Sequence, residues 1–265
     1  MKEYWQATAS GEKPKLKDSI LIVGLPGIGN VGKVSVDFMI DELKAKKVYD
    51  LFSYSFPHSV FVNEENLVEL PSIEIYHTKV KNNDLLFLAG DVQPIDEVSC
   101  YEFCEKVLDL LEELGGKEII TLGGVGLQSV PKKPKIYCTG NSKEIISKYT
   151  KGTAANNSLH GVVGPIIGVS GLLLGLADKR KIPAISLLAE TFGHPMYLGI
   201  KGAREILKIM NKKLKINIDI KDMDKEIKEL ESEMLKRTEE LTEVKRQTAI
   251  KKLKGKLGEE ISYIG

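Results

Sequence analysis

Gly27-Ile28-Gly29-Asn30-Val31-Gly32 has the spacing G-x-G-x-x-G. Glycines at Gly27, Gly29 and Gly32 would let a backbone approach a pyrophosphate, and a helix opening there would offer N–H groups and the positive end of its dipole. The segment follows an apolar run, Ser19 to Gly24, and precedes an apolar-periodic one, which is the context a dinucleotide site needs. Asp50 lies at a suitable distance along the chain for a ribose contact. Against that chemistry, Pro26 sits inside the turn, the strand signal around Asp50 is poor, and no G-x-x-x-x-G-K-[ST] phosphate loop is present. We read the segment as a tight strand-to-helix turn that needs close packing, and keep cofactor binding at Gly27, Gly29 and Gly32 as the alternative.

Acid/base chemistry has one further candidate. Glu190-Thr191-Phe192-Gly193-His194-Pro195 follows the buried run Ala184 to Ala189, and α/β sheets bind ligands at the carboxyl ends of their strands. Glu190 and His194 could pair there, but no G-x-S-x-G elbow marks a nucleophile. Hydrogen-bonded loop structure is the default for this stretch and for the polar cluster Asn156, Asn157, Ser158 and His160. The histidines, His58, His77, His160 and His194, form no H-x-x-x-H or H-E-x-x-H pattern, so no local metal site is expected. Cys100, Cys104 and Cys138 are odd in number and lack C-x-x-C spacing, against a disulfide framework or a zinc knuckle. No cofactor is expected.

These residues need elements to position them. The near-continuous apolar character of Ser19 to Gly24, Leu85 to Ala89, Glu118 to Leu122 and Ala184 to Ala189 suits strands of a sheet covered on both faces. Val48 to Tyr54, the alternating Leu70 to Val80, and Ile136 to Thr139 add three more. Helices are expected over Val31 to Leu43, with Val31, Val34, Phe38 and Leu43 on one face, and over Ile95 to Leu114, with Val98, Tyr101, Cys104, Val107, Leu108 and Leu111 on one face. Others are expected over Ser142 to Tyr149, Ile166 to Leu176 and Lys201 to Leu214. Gly123 to Gly126 reads as a second glycine turn, and Met1 to Lys17 as a loose lead-in. Gly164, Gly168, Gly171 and Gly175 would form one stripe on a helix, admitting the sheet or a subunit neighbour at close range. The strand–turn–helix order indicates an α/β domain, with a mainly parallel central sheet flanked by helices, over residues 17–216.

Residues 217–265 form a different region, a helical extension. Apolar residues return at steps of three and four: Ile220, Met223, Ile227, Leu230, Met234, then Leu241 and Val244. That repeat makes a narrow seam suited to another helix, as in a coiled coil. We expect the partner helix to come from this or another subunit, with packing on the chain's own body as the alternative. The last residues are Ile261-Ser262-Tyr263-Ile264-Gly265.

Composition bounds the function. The chain has 265 residues, a formal net charge of +1 and 42% hydrophobic residues, with a mean hydropathy of −0.12. A near-zero charge is not that of a strongly electrostatic nucleic-acid binder. Lys132, Lys133 and Lys135 cluster between prolines and read as a solvated loop. The longest apolar run, Val162 to Ala177, is shorter than the ~20 residues a bilayer requires. Neither nucleic acid nor membrane is an expected partner, and a reducing, cytoplasmic setting fits the cysteines.

Leu25-Pro26-Gly27-Ile28-Gly29-Asn30-Val31-Gly32 resembles the opening motif of the proteasome assembly chaperone 2 family. Gly168-Val169-Ser170-Gly171-Leu172-Leu173-Leu174-Gly175-Leu176-Ala177, Ile182-Pro183-Ala184-Ile185-Ser186-Leu187-Leu188-Ala189-Glu190-Thr191 and Phe192-Gly193-His194-Pro195 resemble that family too, in the same order and spacing, above all its archaeal homologues. The resemblance implies a nucleoside-phosphorylase-like fold and an ATP-independent, homo-oligomeric chaperone without a catalytic site. Its expected partners are proteasome α subunits or the core particle, and a paralogous family member is a further candidate. It further implies a C-terminal tail like the HbYX ending of proteasomal activators: a hydrophobic residue, Tyr, then a last residue whose carboxylate docks between α subunits. Ile261, Tyr263, Ile264 and Gly265 are the matching candidates. Here Tyr263 is third from the end and Ser262 stands in the hydrophobic position.

Overall fold

A computed structural model describes residues 5–11, 14, 16–159, 161, 164–195, 197–221, 223–225 and 227. The chain divides into two compact units, Met1–Ile220 and Lys221–Gly265. In the second, the described residues are helical. Of the heptad seam, Ile220, Met223 and Ile227 are described. Leu230, Met234, Leu241, Val244 and the terminal Ile261, Tyr263, Ile264 and Gly265 lie outside the described residues.

The first unit is built on eleven strands: β1 (Gln6–Ala9), β2 (Ser19–Gly24), β3 (Lys46–Phe52), β4 (Phe61–Val62), β5 (Val68–Glu69), β6 (Ile73–Val80), β7 (Asn83–Gly90), β8 (Gly116–Leu127), β9 (Ile136–Gly140), β10 (Ala155–Asn156) and β11 (Ala184–Phe192). Its helices are α1 (Val31–Glu42), α2 (Glu97–Glu113), α3 (Lys143–Thr150), α4 (Val169–Lys179) and α5 (Ile200–Leu214). Nine strands form one sheet in the order β1-β3-β6-β7-β2-β8-β11-β9-β10, and β4 pairs with β5 in a separate hairpin.

The expected parallel sheet is confined to its centre. β7, β2, β8 and β11 run parallel, and their apolar runs are buried throughout because helices cover both faces. Alternate residues serve the two faces. Leu21 and Val23 join a core with α2 and α4 residues, among them Phe103, Leu108, Leu173 and Ala177. On the opposite face α1 packs with α5. The flanks depart from the expectation, since β1, β3 and β6 continue the sheet antiparallel on one side and β9 opposes β11 on the other.

Five local expectations are corrected. The lead-in is not loose: β1 pairs with β3, and Trp5 is buried against Phe56 and Phe103, at ring distances of 5.4 and 4.6 Å. Gly123 to Gly126 is not a turn but the second half of β8, paired with β11. The buried face of α1 is Val31, Gly32, Ser35, Val36 and Met39 rather than the Val34–Phe38 face, because the side-chain-free edge at Gly32 is what meets the sheet. In α2, Asp96 caps the N-terminus through Ser99 N–H at 3.0 Å. The helix buries Ser99, Phe103, Cys104, Val107 and Leu111 and leaves Val98 and Tyr101 exposed. Finally, α4 starts at Val169, so Gly164 and Gly168 precede it and no four-glycine stripe exists.

Candidate functional site

The turn after β2 is held from three sides. Ile28–Asn30 makes one 3₁₀ turn, with the Asn30 N–H on Gly27 O at 2.9 Å and the Gly27 N–H on Asn30 Oδ1 at 3.3 Å. Gly29 has φ +59°, where an L side chain is strained. Its carbonyl accepts the Gly199 N–H at 2.7 Å, which ties the turn to the start of α5. Beneath the turn lies bare backbone. A Cβ on Gly32 would stand 2.2 Å from Leu122 O, and one on Gly124 would stand 2.2 Å from Ile28 O. The two glycine clusters are therefore one packing device: β8 loses its side chains where the β2–α1 turn crosses it.

Beside this turn opens a cleft of about 560 Å³, lined in part by Pro26, Ile28, Gln93, Val125, Ile166 and Ser170. It lies at the carboxyl ends of β2 and β8, where the chain order switches direction across the sheet, the usual ligand position in such folds. Among the described residues no charged side chain lines it. Gln93 spans its floor, donating from Nε2 to Pro26 O and accepting the Val169 N–H on Oε1 at 3.2 Å. The cleft suits a neutral, largely apolar group and supplies no cation for a pyrophosphate. Lys33, next to Gly32, is committed to Gly90 O at 3.2 Å, Asp91 at 3.3 Å and Asp37 at 3.2 Å.

The sequence candidates for catalysis are not brought together. Asp50 lies on β3, separated from β2 by β6 and β7, and bonds Ser10 Oγ at 2.7 Å and Lys47 at 2.8 Å. Glu190 accepts the Lys135 N–H at 3.0 Å and the Tyr137 hydroxyl at 3.1 Å. His194, beyond the end of β11, stacks on Phe192 at 5.6 Å. Two of the three thiols, Cys104 and Cys138, are poor nucleophiles by position. Burial pushes Cys138 up to about 11. Cys104, which holds a hydrogen bond with Cys100 and is buried, is raised well above the thiol range, while that same bond lowers Cys100. His77 pairs with Asp84 at 3.0 Å. Among the described residues no cluster of His, Cys, Asp or Glu could hold a metal ion, and no helix is long and apolar enough to cross a membrane.

A family comparison decides what this arrangement belongs to: residues 21–237 match the PAC2 family. The chain belongs to the PAC2 family. Pyrococcus furiosus PbaB, described as an archaeal proteasome activator, is 34% identical and superposes with a TM-score of 0.81 over 89% of this chain and 99% of its own. P. furiosus PbaA, described as an archaeal homolog of proteasome-assembly chaperone, shares the fold with a TM-score of 0.73 over 93% of this chain and 97% of its own, at 22% identity. An uncharacterized protein of Methanocaldococcus jannaschii is 30% identical over 85% of this chain and 86% of its own. This PAC2 chain is thus homologous to a protein described as a proteasome activator, and it shares the fold of one described as a homolog of proteasome-assembly chaperone.

One feature of the PAC2 body escaped the sequence reading. The β4–β5 hairpin exposes Val60, Phe61, Val62, Leu67, Val68 and Leu70 together. The available signal was the run of apolar residues around Asn63-Glu64-Glu65-Asn66, flanking a turn-forming tetrapeptide.

Proposed function

We propose that this protein is an ATP-independent, cytoplasmic proteasome partner that binds α subunits or the core particle as a homo-oligomer. The observation that carries the reading is the 34% identity to PbaB across nearly the whole of both chains. The description of PbaB as an activator favours the assembled core particle between the two expected partners. A binding role, not catalysis, also accords with a turn filled by backbone and with Glu190 and His194 engaged apart.

Two parts of the 217–265 extension serve that role in this proposal. The seam from Ile220 to Val244 packs against a helix of the same or another subunit, or of a paralogous family member. The terminal Ile261, Tyr263, Ile264 and Gly265 dock on the α ring. Tyr263 is one residue further from the end than in the HbYX pattern, which moves the carboxylate by up to ~3.5 Å. Several tails per oligomer add weak contacts through effective concentration. Capture of α subunits or core particle by the full chain, compared with a version lacking Ile261–Gly265, is the test. Capture by the full chain that drops at least tenfold on truncation is expected. Equal capture would refute the tail mechanism, and no capture by either would refute the proposal.

A further inference from the structure

The same edge of the sheet carries two exposed segments of opposite charge. β6 starts opposite Gly90, the carboxyl end of β7, so the 53–72 segment with its hairpin projects from the carboxyl edge. β9 starts opposite Ala189, near the carboxyl end of β11, so the 128–135 loop projects from that edge as well. The first segment contains Glu64, Glu65 and Glu69 and no Lys or Arg; the second contains Lys132, Lys133 and Lys135 and no Asp or Glu. All six are exposed, and none forms an ion pair among the described residues.

The hairpin is preformed. Asn63 Oδ1 accepts the Glu65 and Leu67 N–H groups, each at 3.0 Å, the Asn63 N–H bonds Leu67 O at 3.0 Å, and Asn66 takes the left-handed φ of +61°. Yet the ladder has only two residue pairs, and both faces are open: Val62 and Val68 stand across from each other on one at 64% and 69% exposure, and Phe61 lies on the other at 44%. A lone hairpin is marginal in water, and so large a cluster of exposed apolar side chains marks a contact surface. The basic loop carries its own exposed apolar residue, Val130, and is anchored at its end by the Lys135–Glu190 backbone pairing at 2.9 Å.

We propose that the acidic, apolar β4–β5 hairpin of one copy docks on the Val130–Lys135 loop of a second copy, in a head-to-tail contact. Within one copy the two cannot meet, because β6 and β9 are five strand spacings apart in the sheet, roughly 24 Å. A contact between two different patches repeats from copy to copy and closes into a ring where the rotation permits. This inference rests on the homo-oligomer reading above and specifies its interface.

The experiment measures solution mass by native mass spectrometry and sedimentation for the full-length protein, for E64K/E65K, for K132E/K133E, and for the chain carrying all four changes. Circular dichroism confirms that each is folded. The expected result is a wild-type oligomer whose dissociation constant rises at least tenfold in each two-site variant, with restoration in the four-site chain and in a mixture of the two variants. Unchanged oligomers in both variants would overturn this interface and leave the homo-oligomer reading standing. A monomeric wild type would refute that reading and this interface together. Variants that keep their mass but lose α-subunit capture would also overturn the proposal, assigning the hairpin to the proteasome.

Discussion

Where the Gly27–Gly32 turn crosses β8, the space of the missing Gly32 and Gly124 side chains is taken by other backbone. Leu122 O sits where a Gly32 Cβ would go, and Ile28 O sits where a Gly124 Cβ would go. Along α4 the opposite holds at Gly175, which has nothing within 4 Å of where its Cβ would be. Gly171 falls between the two, pressed by the Ile166 carbonyl of its own incoming loop. Glycine thus closes the interior of the sheet in one region and leaves a bare helix surface in the other. What separates them is whether the neighbour is rigid backbone of the same domain or open space.

Substitutions break or sharpen that comparison. Gly32→Ala places a methyl against the Leu122 carbonyl, which has no side-chain freedom to yield. We expect a loss of about 3 kcal/mol or more, read as a fall in Tm of roughly 6–12 °C by calorimetry. Gly29→Ala must hold a left-handed φ, costing about 1–2 kcal/mol, and must also displace Thr191, whose Oγ1 is 2.6 Å from the new Cβ. Gly175→Ala should go the other way, raising stability by about 1 kcal/mol through helix propensity alone. If it destabilised, α4 would have a neighbour there. The smallest expected effect is nil: titration of NAD or ATP into the protein should give no saturable heat, because Gly32 is packed on the Leu122 carbonyl and no cation among the described residues lines the cleft. A micromolar ligand lost in Gly29→Asp would revive the nucleotide reading.

Legibility followed burial. Ser19–Gly24 and Ala184–Ala189 were readable as strands because both faces are covered, whereas Glu190–Phe192, read as loop, proves to be the end of β11. The phase of α2 was misread at Val98 and Tyr101, since periodicity cannot tell an apolar residue facing the core from one facing outward; Phe103 took the core position instead. Gly123–Gly126 resembled a turn because glycine is a poor strand former, yet here the strand needs glycine to accept the crossing Ile28. That is a tertiary requirement, written nowhere in the local pattern. The Glu190–His194 pairing failed for a similar reason. Glu190 turns toward β9 and Lys135, a neighbour 55 residues away that strand order alone determines.

Trp5 has a spectroscopic consequence. It is the only tryptophan of the chain. Its indole N–H is buried with no hydrogen-bond partner among the described residues, and its ring stands 5.4 Å from Phe56, in the segment that leads into the β4–β5 hairpin. An indole so placed emits toward the blue and shifts red on hydration. The protein therefore carries an intrinsic fluorophore at the root of its projecting arm, and an emission scan can follow the seating of that root without any label.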